Sequence, residues 1–240
     1  MEQSMNIYLD IETIPGQAPG IKGILAERIS APGNYKKPET IAAWELNEKP
    51  ALVDEAWLKT SFDGAFGHIV VASIAIGDEP PITFYGKNWP DSEREILFGL
   101  FNAVDSAAGR ELAGGTRQTG KPVFIGHNVL NFDLRFIFQR AVMLGIRPPA
   151  CIPFEAKPWG SEVFDTMTAW AGVRGTVSLD KLCKVFGIAT KGSEIEDEID
   201  GSKVWEFVQA GRIDDVAKYC VGDVERVRQI HKRLTFAQAA

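Results

Sequence analysis

The chain has 240 residues, 45% of them hydrophobic and 24% charged, which suits one well-buried globular domain over 1–240 and excludes a disordered or fibrous polymer. No apolar run approaches the roughly 20 residues that a membrane helix needs. The net charge of −6 argues against a uniformly basic nucleic-acid binder. Its distribution is uneven, however, with 8 basic against 16 acidic residues in 1–109, 11 against 6 in 110–191 and 7 against 10 in 192–240. The middle third is therefore able to offer a local positive surface. The start MEQSMNIYLD has neither a basic segment nor a small-residue cleavage site, so no signal peptide is expected. The scattered cysteines, Cys151, Cys183 and Cys220, are expected to be small core residues of a protein in a reducing cytoplasm.

Taken in chain order, MNIYLDIETIP predicts a strand that Pro15 stops, with Ile7, Leu9 and Ile11 on one face and Tyr8, Asp10 and Glu12 on the other. Strands are also predicted at 68–77 and 81–86, with a turn at Asp78–Pro80. Between Glu12 and His68 a hairpin needs only a handful of residues. The intervening 13–67 stretch, with five prolines and Trp44 and Trp57, reads as an insertion near the mouth of any site. PETIAAWEL and LVDEAWLKTSF suggest short helices within it, and a purely structural flap is as good a reading as one that touches substrate.

A helix follows at 91–104, capped by Asp91 or Ser92. A Gly-rich loop at 109–120 leads to the buried strand PVFIG (122–126). The next helix spans 131–145, capped by Asn131 and closed by Gly145. SLDKLCKVFGI (178–188) is a further helix, and 204–211 and 213–234 are the closing helices. Strands first, then a strand alternating with helices, indicate an α/β architecture with a mixed central sheet flanked by helices.

Three segments carry possible chemistry. On a strand, positions i and i+2 share a face, so Asp10 and Glu12 present two carboxylates together, away from the apolar face. Asp133 falls in the first turn of a helix, where the helix dipole favours an anion. In KYCVGDVERV, Tyr219 and Asp223 are one helical turn apart on one face. Each alone also describes an ordinary solvated acid, and an amphipathic helix with Tyr219 half buried. Together they offer the oxygen ligands that Mg²⁺ or Mn²⁺ prefers, and several clustered carboxylates are what two such cations need for phosphodiester chemistry. No His/Cys cluster suggests zinc.

YLDIETIP, GHNVLNFD and YCVGD resemble the three exonuclease motifs of the DEDD superfamily, in the subtype with tyrosine in the third motif. The layout is most similar to PolB-like 3′→5′ exonuclease domains. FDTMTAW (164–170) and the segments SLDKLCKVFGI (178–188) and GSKVWEFVQAG (201–211) look like their connecting pieces. The resemblance implies an RNase H-like fold and a metal-dependent 3′→5′ exonuclease acting on a single-stranded nucleic acid with a free 3′ end, DNA favoured over RNA. It implies that Asp10, Glu12, Asp133 and Asp223 hold two Mg²⁺ or Mn²⁺ and that Tyr219 orients the attacking water. Thr13 would bind substrate, and Asn128 would contact the terminal nucleotide or brace the site. An exoribonuclease, or a silent binding module of the same fold, is the alternative.

Other residues receive plainer readings. Phe132 is expected to pack and Asp165 to cap or support. Lys191 is expected in solvent, His127 has no role as a base, and the acidic run 193–200 is expected to be an exposed loop. Trp44, Trp57 and Trp159 are expected to anchor core or loops rather than stack on bases.

Overall fold

A computed structural model describes residues 5–109, 121–195 and 199–237, together with the backbone of 111–112 and 116–117. Strand β1 (Met5–Ile14) is followed by α1 (Ile21–Arg28), α2 (Pro38–Asn47), α3 (Lys49–Leu58) and a 3-10 turn at Lys59–Phe62. Next come β2 (His68–Ile76), β3 (Ile82–Tyr85) and α4 (Trp89–Ala108). Of the Gly-rich 109–120 loop, β4 (Glu111–Leu112) and β5 (Thr116–Arg117) pair as antiparallel backbone, while 110, 113–115 and 118–120 lie outside the described residues. The chain continues through β6 (Pro122–Gly126), α5 (Asp133–Leu144), β7 (Val163–Asp165), α6 (Thr166–Ala171), α7 (Leu179–Phe186), α8 (Val204–Gln209) and α9 (Ile213–Leu234).

The main sheet has the order β3-β2-β1-β6-β7, antiparallel from β3 to β1 and parallel from β1 to β7. Central β1 is covered by helices on both faces. Ile7, Leu9 and Ile11 pack with residues of α4 and α5, such as Leu97, Leu100 and Phe136. Tyr8 and Ile14, on the opposite face, pack with residues of α9, Val224 and Val227 for the first and Val216 and Tyr219 for the second. Asp10 and Glu12 lie on that second face, between those two apolar residues. The expectation that this face leads away from the core is corrected here. Glu12 is buried, 7% exposed, because α9 crosses it.

Helix starts differ from the sequence reading for local reasons. Helix α4 begins with Asn88 as its cap residue and Pro90 in its first turn, a position where a missing N–H costs nothing, so Asp91 and Ser92 lie inside the helix. Helix α5 begins at Asp133, with Phe132 rather than Asn131 as its cap residue. The amides of Asn131 and Phe132 both donate to the Asn128 carbonyl, which uses 128–132 as a tight turn before the helix. Gly145 closes α5 at φ 63, and Ser178 caps α7 as a donor-accepting hydroxyl. The insertion holds three helices, of which α1 was not foreseen. Trp44 is buried, and the Trp57 indole donates to the Gly16 carbonyl at 2.8 Å, so both anchor the insertion. Trp159 does not anchor a core, being 79% exposed. Among the described residues, no helix is long and apolar enough to cross a membrane.

Candidate active site

The site arises where β1 outruns its parallel neighbour. The β1–β6 register ends at Tyr8 opposite Ile125, and β6 stops at Gly126. The chain must turn sharply there, since a Cβ on Gly126 would lie 2.6 Å from the Val129 Cβ. Beyond that end, the Ile11 amide donates to Asp133 Oδ1 at 3.1 Å, so the first residue of α5 takes the place of a missing strand partner. Asp133 is thereby fixed beside Asp10 and Glu12. A register shift in the β1–β2 pairing between Glu12 and Thr13 re-aims the end of β1. The Thr13 hydroxyl then donates to the Ser61 carbonyl at 2.7 Å, which brings the 3-10 turn of the insertion over the site.

Asp165 holds the other side. Its carboxylate caps α6 by accepting from the Met167 and Thr168 amides, and it accepts from the Asn128 and Leu130 amides as well. Asn128 has a left-handed backbone, φ 63, a conformation that asparagine tolerates better than most residues. His127 bonds to the Thr166 hydroxyl at 2.9 Å and the Val177 carbonyl at 2.8 Å, and burial holds its pKa below the ordinary value. Its ring also lines the edge of the cavity that holds the acids.

Helix α9 closes the cavity from above. Tyr219 is fully buried and Asp223 nearly so, four residues apart on one face. The Asp223 carboxylate pairs with Arg226 at 3.1 Å and with Lys191. Lys191 is therefore not the solvated lysine expected from sequence. Its ammonium also lies 4.9 Å from the centre of the Tyr219 ring. The cause is Arg226, which donates to the carbonyls of Ala189 at 3.0 Å and Thr190 at 2.6 Å and pairs with Glu194. These bonds pull 189–195 inward, so the start of the acidic run is docked on α9 rather than free; 196–198 lie outside the described residues.

One cavity of about 170 Å³ gathers these groups. It is lined by Asp10, Glu12, Thr13, Asp133, Tyr219 and Asp223, and also by Lys191, Ser61 and Phe62. Asn128 is not among its lining residues. Phe132 lines the cavity edge and packs against Phe136 and Phe62. Cys183 is a core residue, whereas Cys220 is not merely one, since its thiol donates to Asp10. Sequence reasoning missed Lys191, Ser61, Phe62 and Cys220. The signal for Ser61 and Phe62 was the excess length of the insertion, and for Cys220 its place next to Tyr219.

The electrostatics are those of crowded, desolvated acids. Burial, then the neighbouring carboxylates Glu12, Asp223 and Asp133, pushes Asp10 well above the usual carboxylate range. Burial likewise raises Glu12 far, against the opposing pull of Lys191. Asp133 is raised to about 7, mainly by burial and in spite of the hydrogen bonds it accepts. Burial raises Asp223 as well, with Lys191 and Arg226 opposing. Lys191 keeps its charge although burial disfavours it, because Asp223, Tyr219, Glu12 and Asp10 hold its pKa above the ordinary value. The buried Tyr219 hydroxyl is pushed up by burial and by Glu12 and Asp223, with the nearby Lys191 ammonium opposing. The four converging carboxylates supply the oxygen ligands that hard divalent cations prefer, with the Lys191 ammonium at the cavity wall.

Residues 114–238 match the family model described as a predicted 3′-5′ exonuclease related to the exonuclease domain of PolB. No curated protein matches the chain. Among solved structures, the family B DNA polymerase from the hyperthermophilic archaeon Pyrobaculum calidifontis is similar at a TM-score of 0.58 and 16% identity, over 97% of this chain and 25% of the polymerase. The chain thus spans about a quarter of that protein's length. The likeness extends to the mixed five-stranded sheet with its flanking helices, an RNase H-like α/β fold. The match over 114–238, more than half of the sequence and inclusive of Asp133, Tyr219 and Asp223, shows that this chain belongs to the family of predicted 3′-5′ exonucleases related to the exonuclease domain of PolB.

Proposed function

We propose that the chain is a metal-dependent 3′→5′ exonuclease that hydrolyses the terminal phosphodiester of single-stranded DNA and releases mononucleotides. The observation that carries this reading is the convergence of Asp10, Glu12, Asp133 and Asp223, from three separate elements, on one cavity. These four side chains would hold two Mg²⁺ or Mn²⁺. When bound, such a pair lowers the pKa of the attacking water and neutralises charge on the leaving oxygen of an in-line displacement.

The chain's own residues account for the remainder. Asp10 sits among the other acids, the position of a shared ligand. The Tyr219 hydroxyl, at the cavity wall beside Lys191, orients the attacking water. Its raised pKa makes it a donor and not a base at neutral pH. Lys191 faces the cavity with its charge intact and is placed to meet a non-bridging phosphate oxygen. The cavity suits cations, water and a phosphate but not a nucleotide. Bases therefore belong outside it, and an apolar recess of about 240 Å³ adjoins it there, sharing Thr13, Ser61 and Phe62 and lined further by Pro15, Leu58 and Trp205. Phe62 is 70% exposed at this mouth. Thr13 sits at the same mouth, and Asn128 would act on the terminal nucleotide only from outside the cavity.

The test uses 5′-labelled single-stranded DNA and RNA with Mg²⁺, Mn²⁺ or chelator. Progressive shortening of the DNA from its 3′ end, lost in chelator and in Asp10→Asn, is the expected result. RNA cut faster than DNA would move the assignment to an exoribonuclease. No cleavage of either by a folded, metal-supplied protein would leave only a binding module.

A further inference from the structure

The stretch 166–191 carries four basic residues, Arg174, Lys181, Lys184 and Lys191, against one acid, Asp180. Lys184 pairs with Asp180 at 2.7 Å, and Lys191 pairs with Asp223 inside the cavity. Arg174 and Lys181 are exposed, and among the described residues neither side chain has an ion pair or a hydrogen bond. The fold holds this stretch against the cavity mouth. His127, at the cavity edge, bonds to Thr166 where α6 starts and to Val177 just before α7, so one ring pins both ends of the excursion 166–177. Helix α6, six residues long or about 9 Å, leads out from that point. The chain then turns back at 172–175, where the Gly175 amide donates to the Gly172 carbonyl at 3.0 Å. The turn is tight, since Gly172 has φ 81 and a Cβ on Gly175 would lie 2.2 Å from the Ala171 carbonyl oxygen. Trp170 on this excursion is 48% exposed and braced by Phe186 in a T-shaped contact, with ring centroids 5.3 Å apart. Arg174 stands in the turn beyond it.

The other side of the mouth differs in charge. The recess proposed for a base is formed mostly by the insertion and reaches Gly201 and Ser202, which follow the run 193–200 with its five acidic residues. The insertion leads into β2 and α6 leaves β7, so the two lie on opposite sides of β1 in the sheet. A phosphate chain that starts in the cavity is repelled on the acidic side and attracted on the other. We propose that the α6–α7 surface carries the single strand upstream of its terminal nucleotide, with Trp170 stacked on a base and Arg174 and Lys181 each on a phosphate. This rests on the exonuclease reading and deepens it. An aromatic ring stacks on any base, so this surface is indifferent to sequence.

The experiment measures binding of a fluorescein-labelled oligothymidylate to the full chain by fluorescence anisotropy, in chelator and over a range of salt concentrations, so that turnover does not enter. Trp170→Ala is expected to bind about tenfold more weakly, the scale of one lost base–aromatic stack, with the wild-type salt dependence. The double variant Arg174→Ala/Lys181→Ala should show a slope of log affinity against log salt that is shallower by about 1.4, about 0.7 for each phosphate contact on a single strand. Trp159→Ala is the control. That ring is 79% exposed but precedes β7, at the end of the strand away from the cavity, and its variant should bind as wild type. Wild-type affinity in Trp170→Ala, or a wild-type slope in the double variant, overturns the proposal. Should Trp170→Ala melt early, Arg174→Glu on the exposed turn carries the test, and an affinity equal to wild type there overturns it equally. Cleavage with normal binding by these variants sinks the α6–α7 path alone, whereas binding that depends on them in a chain that never cleaves sinks the exonuclease reading alone.

Discussion

Tyr219 is a buried side chain to which the proposed reading gives a role in cleavage. It packs with Ile14, Val70 and Val216, and its hydroxyl lies beside the Lys191 ammonium. A buried hydroxyl and its hydrogen bond contribute a net of only about 1 kcal/mol. Removing it should therefore change stability little. We expect Tyr219→Phe to melt close to the wild-type temperature while cleaving 10–100-fold more slowly, roughly 1.4–2.7 kcal/mol of barrier. Metal affinity should hardly change, because the tyrosine is not among the carboxylates. Asp223→Ala should lose far more activity and weaken metal binding too. Single-turnover cleavage, metal titration and thermal melts on both variants separate the roles. A Tyr219→Phe protein that cleaves at the wild-type rate would reduce Tyr219 to a packing residue.

Among the elements, the insertion is tied to the site at its last turn. The Thr13 hydroxyl bonds to Ser61, the Gly16 amide donates to the Thr60 hydroxyl at 2.8 Å, and these bonds set Phe62 at the cavity mouth. Base–aromatic stacking is worth about 1–3 kcal/mol. Phe62→Ala should accordingly raise KM for single-stranded DNA by about tenfold and leave kcat much less affected; an unchanged KM would confine the insertion to a structural role. The β6–α5 turn is tied just as tightly by Asp165, which accepts four backbone amides. Asp165→Ala strands those donors and should lower unfolding free energy by about 2–3 kcal/mol in a denaturant titration.

These elements also show what the sequence could reveal. Asp10 with Glu12, and Tyr219 with Asp223, were legible because strand and helix periods fix which side chains share a face. Strand β1 was legible from the alternation around Ile7, Leu9 and Ile11, whereas the short edge strand β7 (Val163–Asp165) was not foreseen. Lys191 was not, since its position depends on Arg226, 35 positions further along the chain, gripping the carbonyls of Ala189 and Thr190. Nor was the burial of Glu12, which depends on α9 folding back over the strand from the far end of the sequence. Local patterns identified the acids; long-range packing supplied their environment.

For the whole molecule, stability is expected to depend on pH through these buried acids and, on the proposed reading, on metal as well. Asp133 is held at about 7 by burial, against an ordinary 3.8. Without metal, the folded state therefore binds more protons than the unfolded chain between those values. Linkage then requires stability to fall as pH rises from about 4 through about 7. A shift of about three units sets an upper limit of about 4 kcal/mol from this group. Asp10 and Glu12, also raised, act in the same direction. The histidines His68, His127 and His231 are held below their ordinary value by burial and contribute the opposite slope, so wild type alone is not diagnostic. Asp133→Asn keeps an oxygen to accept from Ile11 and removes the charge. In chelator, the variant should match wild type near pH 4 and exceed it in melting temperature at pH 8. Mg²⁺ or Mn²⁺ should reverse that order at pH 8, because cations bound only by the folded protein stabilise it by mass action and the variant has lost a ligand. Thermal melts of both proteins from pH 4 to 8, with chelator and with metal, test this directly. Equal melting temperatures at pH 8 in chelator would show that Asp133 is not a strained charge, and no crossover with metal would remove it from the ligand set.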